Sequence, residues 1–166
     1  MVAVWIIVGI IVLAVFGLFI VRLVLPSELD DVTPGIQCDA SLIDKSDVLW
    51  VIPLYKNDSI LNHQDWCDSL LAKNKTLGMH GVYHTFNEFF EKRNSEYVLR
   101  GIDAFEKCFG KKPEMFKAPQ LALSSENRKM IESMRMKVKG KWNQLFRKVY
   151  HCSDTGVMPN WFIRIF

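Results

Sequence analysis

The sequence lacks the features of collagen-like, low-complexity, multi-pass membrane and disordered proteins. It has only 9 glycines and 6 prolines in 166 residues, which excludes a collagen-like or low-complexity chain. It has a single long hydrophobic run, which excludes a multi-pass membrane protein. With 12% aromatic and 23% charged residues, most of the chain is not disordered. No internal repeat and no aromatic–basic motif is present, so we expect no nucleic-acid partner.

Residues 1–25 form the long hydrophobic run, and their only charged side chain is Arg22. As a helix, the span from Val2 to Val21 would cover about 30 Å, the thickness of a bilayer core. The run is longer than the apolar core of a signal peptide, and no small-residue cleavage pattern follows it. The sequence therefore predicts an uncleaved, single-pass transmembrane anchor over residues 1–25 and a globular domain over residues 26–166.

Conflicting signals bear on the side of the membrane, and their balance slightly favours an extracytoplasmic or luminal domain. Arg22 favours a cytoplasmic domain, whereas two glycosylation sequons, Asn57-Asp58-Ser59 and Asn74-Lys75-Thr76, favour an extracytoplasmic or luminal one. The four cysteines form no CxxC pair, so they do not indicate a zinc framework. They either form two disulfides outside the cytosol or are buried as small apolar side chains inside it.

Charge is distributed unevenly along the globular part. Residues 26–110 carry 8 Lys/Arg and 14 Asp/Glu, a balance of −6, whereas residues 111–150 carry 11 and 3, a balance of +8. The basic stretch is typical of the solvated face of one or two helices. It would also attract an anionic partner or a membrane surface.

Short apolar runs alternate with helical spacing from residue 26 onward. The predicted strands are Asp47–Pro53, Thr76–His80, Met115–Ala118, a strand at Val138 and Phe146–Cys152. The predicted helices are Gln64–Lys75, Glu88–Phe109 and a third that runs to Met134 from an N-cap at Ser124 or Ser125. This alternation predicts an α/β protein with a mainly parallel sheet or barrel, whose working residues lie at the C-terminal ends of the strands.

Three short motifs lie where that rule places a site: LDDVTP (29–34), HGVYH (80–84) and FKAP (116–119). Two imidazoles separated by three residues can bind one metal ion from one side of a turn, and Gly81 allows the backbone to bend between them. One carboxylate of the Asp pair would complete the metal shell while its neighbour stays free as a base. Such a ligand set leaves positions open for water and substrate, as a catalytic site requires.

The order of these motifs resembles that of the NodB-type polysaccharide deacetylases, over residues 28 to 156 or so. The resemblance implies a distorted, shortened (β/α) barrel after the transmembrane helix, with a divalent metal, usually Zn²⁺. It implies Asp31, His80 and His84 as the metal ligands and Asp30 as the general base. Barrels need roughly 200 residues, but only 141 (166 − 25) follow the anchor. One or more strand–helix units should therefore be missing or reduced.

The chain departs from the family pattern at several positions. Lys117 stands where the family usually has an arginine that orients the base, and lysine lacks the bidentate fork of a guanidinium group. Pro119 would shape the wall of the substrate groove. The strand expected just before Asp30 overlaps Leu23–Leu29, so this strand is either very short or includes part of the apolar run.

Two further polar residues have alternative roles. His151 is the candidate for the late general acid of the family, or it is a structural histidine at a strand end. Glu88 is either a partner that orients an imidazole or a carboxylate at a helix start. His63 is expected on the surface.

We therefore predict a membrane-anchored, metal-dependent hydrolase, a carbohydrate N-deacetylase acting on an acetylated carbohydrate. Metal-bound water would attack the acetamide carbonyl and Asp30 would take its proton. The alternative is a catalytically weak or inactive deacetylase-like module that binds glycan or a protein partner, with the basic stretch as its surface. A third possibility is a plain single-pass protein whose motifs arose by chance.

Overall fold

A computed structural model describes residues 1–166. Its helices are α1 (Val2–Val24), α2 (Ala40–Lys45), α3 (Gln64–Ala72), α4 (Ser95–Phe109), α5 (Ser125–Ser133), α6 (Lys141–Phe146) and α7 (Asn160–Ile165). Its strands are β1 (Glu28–Val32), β2 (Val48–Val51), β3 (Leu54–Tyr55), β4 (Asp58–Ser59), β5 (Thr76–His80), β6 (Met115–Lys117), β7 (Lys137–Lys139) and β8 (Val149–His151). Two short 3₁₀ turns cover Ile60–Asn62 and Pro119–Leu121.

Six strands form one parallel sheet in the order β7-β6-β5-β2-β1-β8. The edge strands β7 and β8 do not pair with each other, so the sheet is an incomplete barrel. Strands β1 and β2 are buried at every position, as expected for central parallel strands covered on both faces. The predicted α/β class and shortened barrel are confirmed.

The helix α4 covers the sheet with its apolar face. Val98, Ile102 and Phe105 on this face are buried, and Gly101 brings the helix backbone close to Val82. The helix begins at the N-cap Asn94 and ends at Gly110 in the left-handed conformation. The predicted helix over Glu88–Phe109 is therefore wrong for residues 88–94, which form turns and extended backbone.

The basic stretch does not form a single helix face. Residues 111–150 contribute β6, α5, β7, α6 and most of β8, and Lys117 among them is buried. Ser124 caps α5 as predicted, by accepting a hydrogen bond from the backbone N–H of Asn127. The strand predicted to begin at Phe146 is corrected, because Phe146 ends α6 and β8 begins only at Val149.

Helix α1 is exposed along almost its whole length. Arg22 is its only buried residue. By length and composition alone, α1 is long and apolar enough to cross a membrane. It ends at Val24 and β1 begins at Glu28, so the apolar run supplies no residue to the sheet and the first strand has 5 residues.

Candidate metal centre

A distortion of β1 brings two neighbouring carboxylates to one pocket. Successive residues of a regular strand point to opposite faces, but the pairing of β1 with β2 shifts between Leu29 and Val32. Asp31 lies in this irregularity with a left-handed φ of 64°. Strained backbone of this kind persists where the surroundings hold it, often at functional sites. Asp30 and Asp31 are therefore both buried and both line the same pocket.

Two histidines meet Asp31 from the end of β5. Its Oδ1 atom lies 3.5 Å from Nε2 of His80 and 3.0 Å from Nε2 of His84. One ligand atom from each of the three residues lies within 4.8 Å of the others. The structure thus brings together the three residues that the resemblance implies as metal ligands.

The ring of His80 is held in the orientation that a metal ligand needs. Its Nδ1 atom lies 3.0 Å from the carbonyl oxygen of Lys117. Because a carbonyl can only accept, Nδ1 carries a proton, and Nε2 is the ring nitrogen that faces Asp31. Two imidazole nitrogens and one carboxylate oxygen, with one ring oriented in this way, fit a divalent cation such as Zn²⁺.

The three groups also perturb one another's protonation. Burial alone would raise the pKa of Asp31, but hydrogen bonds and charges from His80 and His84 outweigh it and hold the pKa well below its usual value. Burial alone would lower the pKa of His80, but the carboxylates of Asp30 and Asp31 outweigh it and raise that pKa. The site therefore favours an ionised carboxylate facing positive charge.

Glu88 holds the turn that leads from His80 to His84. Its buried carboxylate accepts hydrogen bonds from the backbone N–H groups of Val82, Tyr83 and His84. It also accepts one from the Tyr97 hydroxyl at 2.7 Å. Glu88 therefore starts no helix, because α4 begins only at Ser95. It makes no hydrogen bond to an imidazole ring, and it contacts the ligand set through the backbone N–H of His84.

Lys117 lies beside Asp30, where the resemblance places the base-orienting cation. Its Nζ atom donates to Asp30 Oδ1 at 2.8 Å and lies 3.4 Å from Glu28 Oε2. Glu28 itself is buried and also accepts from Trp50 Nε1 at 2.8 Å and Asn143 Nδ2 at 2.9 Å. A buried chain of polar contacts thus runs from Glu28 through Lys117 to Asp30.

His151 approaches Asp30 from the neighbouring strand β8. Its Nε2 atom lies 3.6 Å from Asp30 Oδ2. Asn160 holds the backbone on both sides, accepting from His151 N–H and donating to its carbonyl. Gly156 packs on the imidazole so closely that a Cβ atom there would overlap the ring. Burial lowers the pKa of His151, although the charges of Asp30 and Asp31 oppose this effect.

The pocket between these groups has a volume of about 240 Å³. Its walls also include Gln120, Gln144 and Thr155, for which the sequence motifs predict no role. Pro119 is buried behind the wall and packs close to Gly81, while Gln120 and Leu121 form the wall itself. Pro119 begins the 3₁₀ turn that carries these two wall residues, so its part in shaping the wall stays a prediction. His63 is away from the pocket and pairs with Asp58 at 2.6 Å.

A disulfide anchors the strand that carries His151. Cys152 is bonded to Cys38, which lies in the loop after β1, and a second disulfide joins Cys67 on α3 to Cys108 on α4. The structure contains no free cysteine. Of the two alternatives left open for the cysteines, paired disulfides are the one found.

Comparison with known proteins gives matches only among solved structures. No protein-family model and no curated protein matches the chain. A polysaccharide deacetylase from Bacillus cereus matches with a TM-score of 0.51 and 12% identity, over 75% of this chain and 75% of that one. The chitin deacetylase of the fungal pathogen Colletotrichum lindemuthianum matches with a TM-score of 0.49 and 14% identity, over 68% of this chain and 51% of that one.

A CE4 family pseudoenzyme from Bacillus anthracis matches with a TM-score of 0.49 and 10% identity, over 64% of this chain and 44% of that one. Against two crystal structures of mutants of this pseudoenzyme, the chain spans only 32% of the matched chain's length. Identities this low speak to the fold alone, and the Bacillus cereus match, with its TM-score of 0.51, agrees with the fold that the motifs imply. The chain therefore has the fold of the polysaccharide deacetylases, in a shortened form, over the 75% of its length that the Bacillus cereus structure matches.

Proposed function

We propose that the chain is a metal-dependent hydrolase that removes acetyl groups from N-acetylated carbohydrate, with residues 26–166 as its catalytic domain. One observation carries this proposal. The ligand atoms of Asp31, His80 and His84 converge within 4.8 Å, and a second carboxylate, Asp30, faces the same pocket from the adjacent position. This pairs a three-residue metal site with a free base, which is the arrangement that hydrolysis of an amide needs.

Asp31, His80 and His84 would hold the cation, and their donor set suits Zn²⁺. A bound divalent cation supplies a Lewis acid that polarises a carbonyl oxygen and lowers the pKa of water. The residues of the chain supply the positioning. His80 is oriented by the Lys117 carbonyl, and the backbone of His84 is held by Glu88.

Asp30 is the group placed to accept a proton. Its Oδ1 atom is bound by Lys117, while its Oδ2 atom lies 3.9 Å from His80 Nε2 and 3.6 Å from His151 Nε2. His151 is placed to give a proton to a departing amine at Nε2. Burial lowers the pKa of this ring, so its protonated form is a stronger acid but is less populated near neutral pH. Lys117 thus orients Asp30 through one hydrogen-bond donor, whereas an arginine would orient it through two.

An acetylated polysaccharide is the substrate class that the fold favours, because the Bacillus cereus structure of the same fold is that of a polysaccharide deacetylase. The polar pocket walls agree with a hydroxylated substrate, since Gln120, Gln144 and Thr155 can donate and accept hydrogen bonds. Gln144 in particular lies on α6, next to the gap that the incomplete barrel leaves between β7 and β8.

Helix α1 would hold this domain at a membrane. An exposed 23-residue helix whose only charged side chain is Arg22 is stable in lipid and unfavourable in water. Its last turn packs against the domain, because Arg22 is buried and donates to the carbonyl oxygen of Leu145 at 2.8 Å. This packing favours a permanent anchor over a removed signal segment.

Metal content of the purified full-length chain tests the proposal. We expect about one zinc-like ion per chain in the wild type, none in the double variant His80→Ala/His84→Ala, and a wild-type content in the control His63→Ala. Asp30→Asn should keep the metal and lose release of acetate from chito-oligosaccharides.

The possible outcomes separate the three interpretations of the sequence. A folded wild type without metal would remove the basis of the mechanism. Stoichiometric metal without acetate release from any acetylated sugar would identify the inactive binding module instead. Full activity of Asp30→Asn would exclude Asp30 as the base.

A further inference from the structure

A second polar site lies at the opposite end of the barrel from the metal centre. Arg22, in the last turn of α1, has a side chain that is 3% exposed. Its Nη1 atom donates to the carbonyl oxygens of Gln144 and Leu145 at 3.3 and 2.8 Å. Its Nε and Nη2 atoms are buried and have no hydrogen-bond partner. The guanidinium carbon lies 5.2 Å from the centre of the Phe166 ring, a cation–π contact that supplies no acceptor oxygen. Buried donors without an acceptor are rare and costly, so two on one guanidinium group point to a missing acceptor.

Arg22 lines a cleft of about 370 Å³ between the end of α1 and the N-terminal ends of β1 and β8. Lys45 and Lys148 line the same cleft, and the only acidic lining residue is Asp47. Asp47 is already engaged, because its Oδ2 atom accepts from the backbone N–H and the hydroxyl of Ser27 at 2.8 and 3.0 Å. The cleft therefore has a surplus of positive charge.

No acidic side chain forms an ion pair with any of the three cations. Lys45 Nζ lies 3.7 Å from the centre of the Tyr150 ring, and Lys148 Nζ donates to the carbonyl oxygen of Arg164 at 3.2 Å. Burial, followed by repulsion from nearby cations, lowers the pKa of both lysines. Repulsion of this kind is relieved when an anion binds between the charges.

The position of the cleft indicates where such an anion comes from. Arg22 is the first charged side chain after the apolar segment of α1, and residues 23–27 form one wall of the cleft. If α1 spans a bilayer, this point lies at the level of the lipid headgroups. Cationic side chains at that level attract anionic lipids. A guanidinium group with two free donors and two ammonium groups match a phosphate group, which presents several acceptor oxygens.

We propose that this cleft, defined by Arg22, Lys45 and Lys148, binds a phosphate group. Anionic phospholipid headgroups and free phosphate share this chemistry, and the experiment below distinguishes them. The bound group would satisfy the two free donors of Arg22 and fix the end of α1 against α6 and β8. The site is separate from the metal centre, since Lys148 precedes β8 whereas His151 ends it.

Thermal unfolding of the full chain in a nonionic detergent tests the proposal, because a ligand that binds only the folded state raises Tm. The probes are dihexanoyl phosphatidylglycerol, dihexanoyl phosphatidylcholine and inorganic phosphate. The variants are Arg22→Gln and Lys148→Gln. Lys129→Gln is the control, because it removes the same charge from an exposed position on α5. If Arg22→Gln fails to fold, Lys148→Gln still reports on the cleft.

We expect phosphatidylglycerol to raise Tm of the wild type and of Lys129→Gln with equal affinity. Its affinity should fall by about ten-fold or more in Lys148→Gln and Arg22→Gln, because each loses a charged hydrogen-bond donor. An equal response to inorganic phosphate would support the site with a soluble anion as its source. No response to any phosphate compound, or an equal response in the cleft variants, would overturn the proposal. Metal content does not enter this test, so the proposed hydrolase can fail while the phosphate site stands.

Discussion

At the scale of single residues, Glu28 shows how a side chain outside the pocket can control a group inside it. It is 1% exposed, and its polar partners include neither Asp31 nor a histidine. Its carboxylate nonetheless meets Lys117 on one side, and Asn143 and Arg147 on the other. Because Lys117 is shared between Glu28 and Asp30, the position of its ammonium group depends on both carboxylates. Glu28 is therefore a positioning residue for the proposed base.

We expect Glu28→Gln to bind metal like the wild type and to release acetate about 10-fold or more slowly, the effect typical of losing an outer-shell partner. The neutral amide keeps the size of the side chain but no longer balances Lys117 and Arg147. Metal content, acetate release and urea unfolding of the full chain are the measurements. Exposed Glu91→Gln serves as the control. Parallel loss of metal and activity would contradict a role that acts through Lys117.

At the scale of secondary-structure elements, the turn after β5 requires glycine at position 81 for two reasons, its backbone conformation and the lack of space for a side chain. Gly81 has a φ of +63°, and a Cβ atom at this position would overlap the Glu88 carboxylate and the Pro119 ring. Gly110, at the end of α4, has a similar φ of +69° but no heavy atom near its missing Cβ. Substituting each of these two glycines therefore distinguishes the free-energy cost of a left-handed backbone from the cost of steric overlap at Cβ.

Gly110→Ala should lower the free energy of unfolding by about 1 kcal/mol, the cost of the left-handed conformation alone. Gly81→Ala should lower it by about 2–4 kcal/mol, because overpacking adds to that cost. Displacement of Glu88 should also release the N–H of His84 and weaken metal binding. Denaturant unfolding and chelator competition measure the two effects. Equal loss of stability in both variants would mean that the turn can relax around a methyl group.

Local pattern was sufficient for some elements. The strand Thr76–His80 has the predicted bounds, and Ser124 caps the predicted helix. Each depends on neighbours in sequence, namely an apolar run and a capping hydroxyl. Helix α6 was missed because tertiary contacts hold it: Asn143 binds Glu28, and the last carbonyls of the helix accept from Arg22. Nothing in the residues of a six-residue segment encodes partners that lie more than a hundred positions away.

In the candidate site too, some residues can be predicted from the sequence and others depend on tertiary contacts. Motif order was enough to single out Asp31, His80 and His84, because each motif ends a strand of the same sheet. The roles of Glu88 and Glu28 depend on which buried donors surround a carboxylate, and only the folded chain defines those. Gly156 could have been noticed only as a small residue five positions after His151, and its spacing has no intrinsic meaning. Its significance comes from the imidazole packed against it.

At the scale of the whole molecule, the disulfide Cys38–Cys152 closes a loop with a sequence separation of 114, against 41 for Cys67–Cys108. The double variant Cys38→Ser/Cys152→Ser should lose about 2–5 kcal/mol of stability. It should also lose acetate release, because Cys152 follows His151. Cys67→Ser/Cys108→Ser, with a shorter loop far from the pocket, should lose stability by about 1 kcal/mol less and keep its activity per folded molecule. Equal activities of the two variants would show that the position of His151 does not depend on the disulfide Cys38–Cys152.

The two disulfides also bear on the side of the membrane. Disulfides persist in oxidising compartments and are rare in the cytosol, so we expect residues 26–166 to lie on the non-cytoplasmic side. Arg22 argues weakly for the opposite side, since it is a single charge and is buried in the domain.

Both sequon asparagines, Asn57 and Asn74, are exposed in turns and can serve as reporters. Full-length chain expressed in a glycosylating eukaryotic cell should carry two glycans. Asn57→Gln and Asn74→Gln should each remove one, as a shift in mass after glycosidase treatment. An unglycosylated chain whose thiols react with a membrane-permeant reagent without prior reduction would place the domain in the cytosol. In that case the cysteines would be reduced, and the strand that carries His151 would lose its covalent link to the loop after β1.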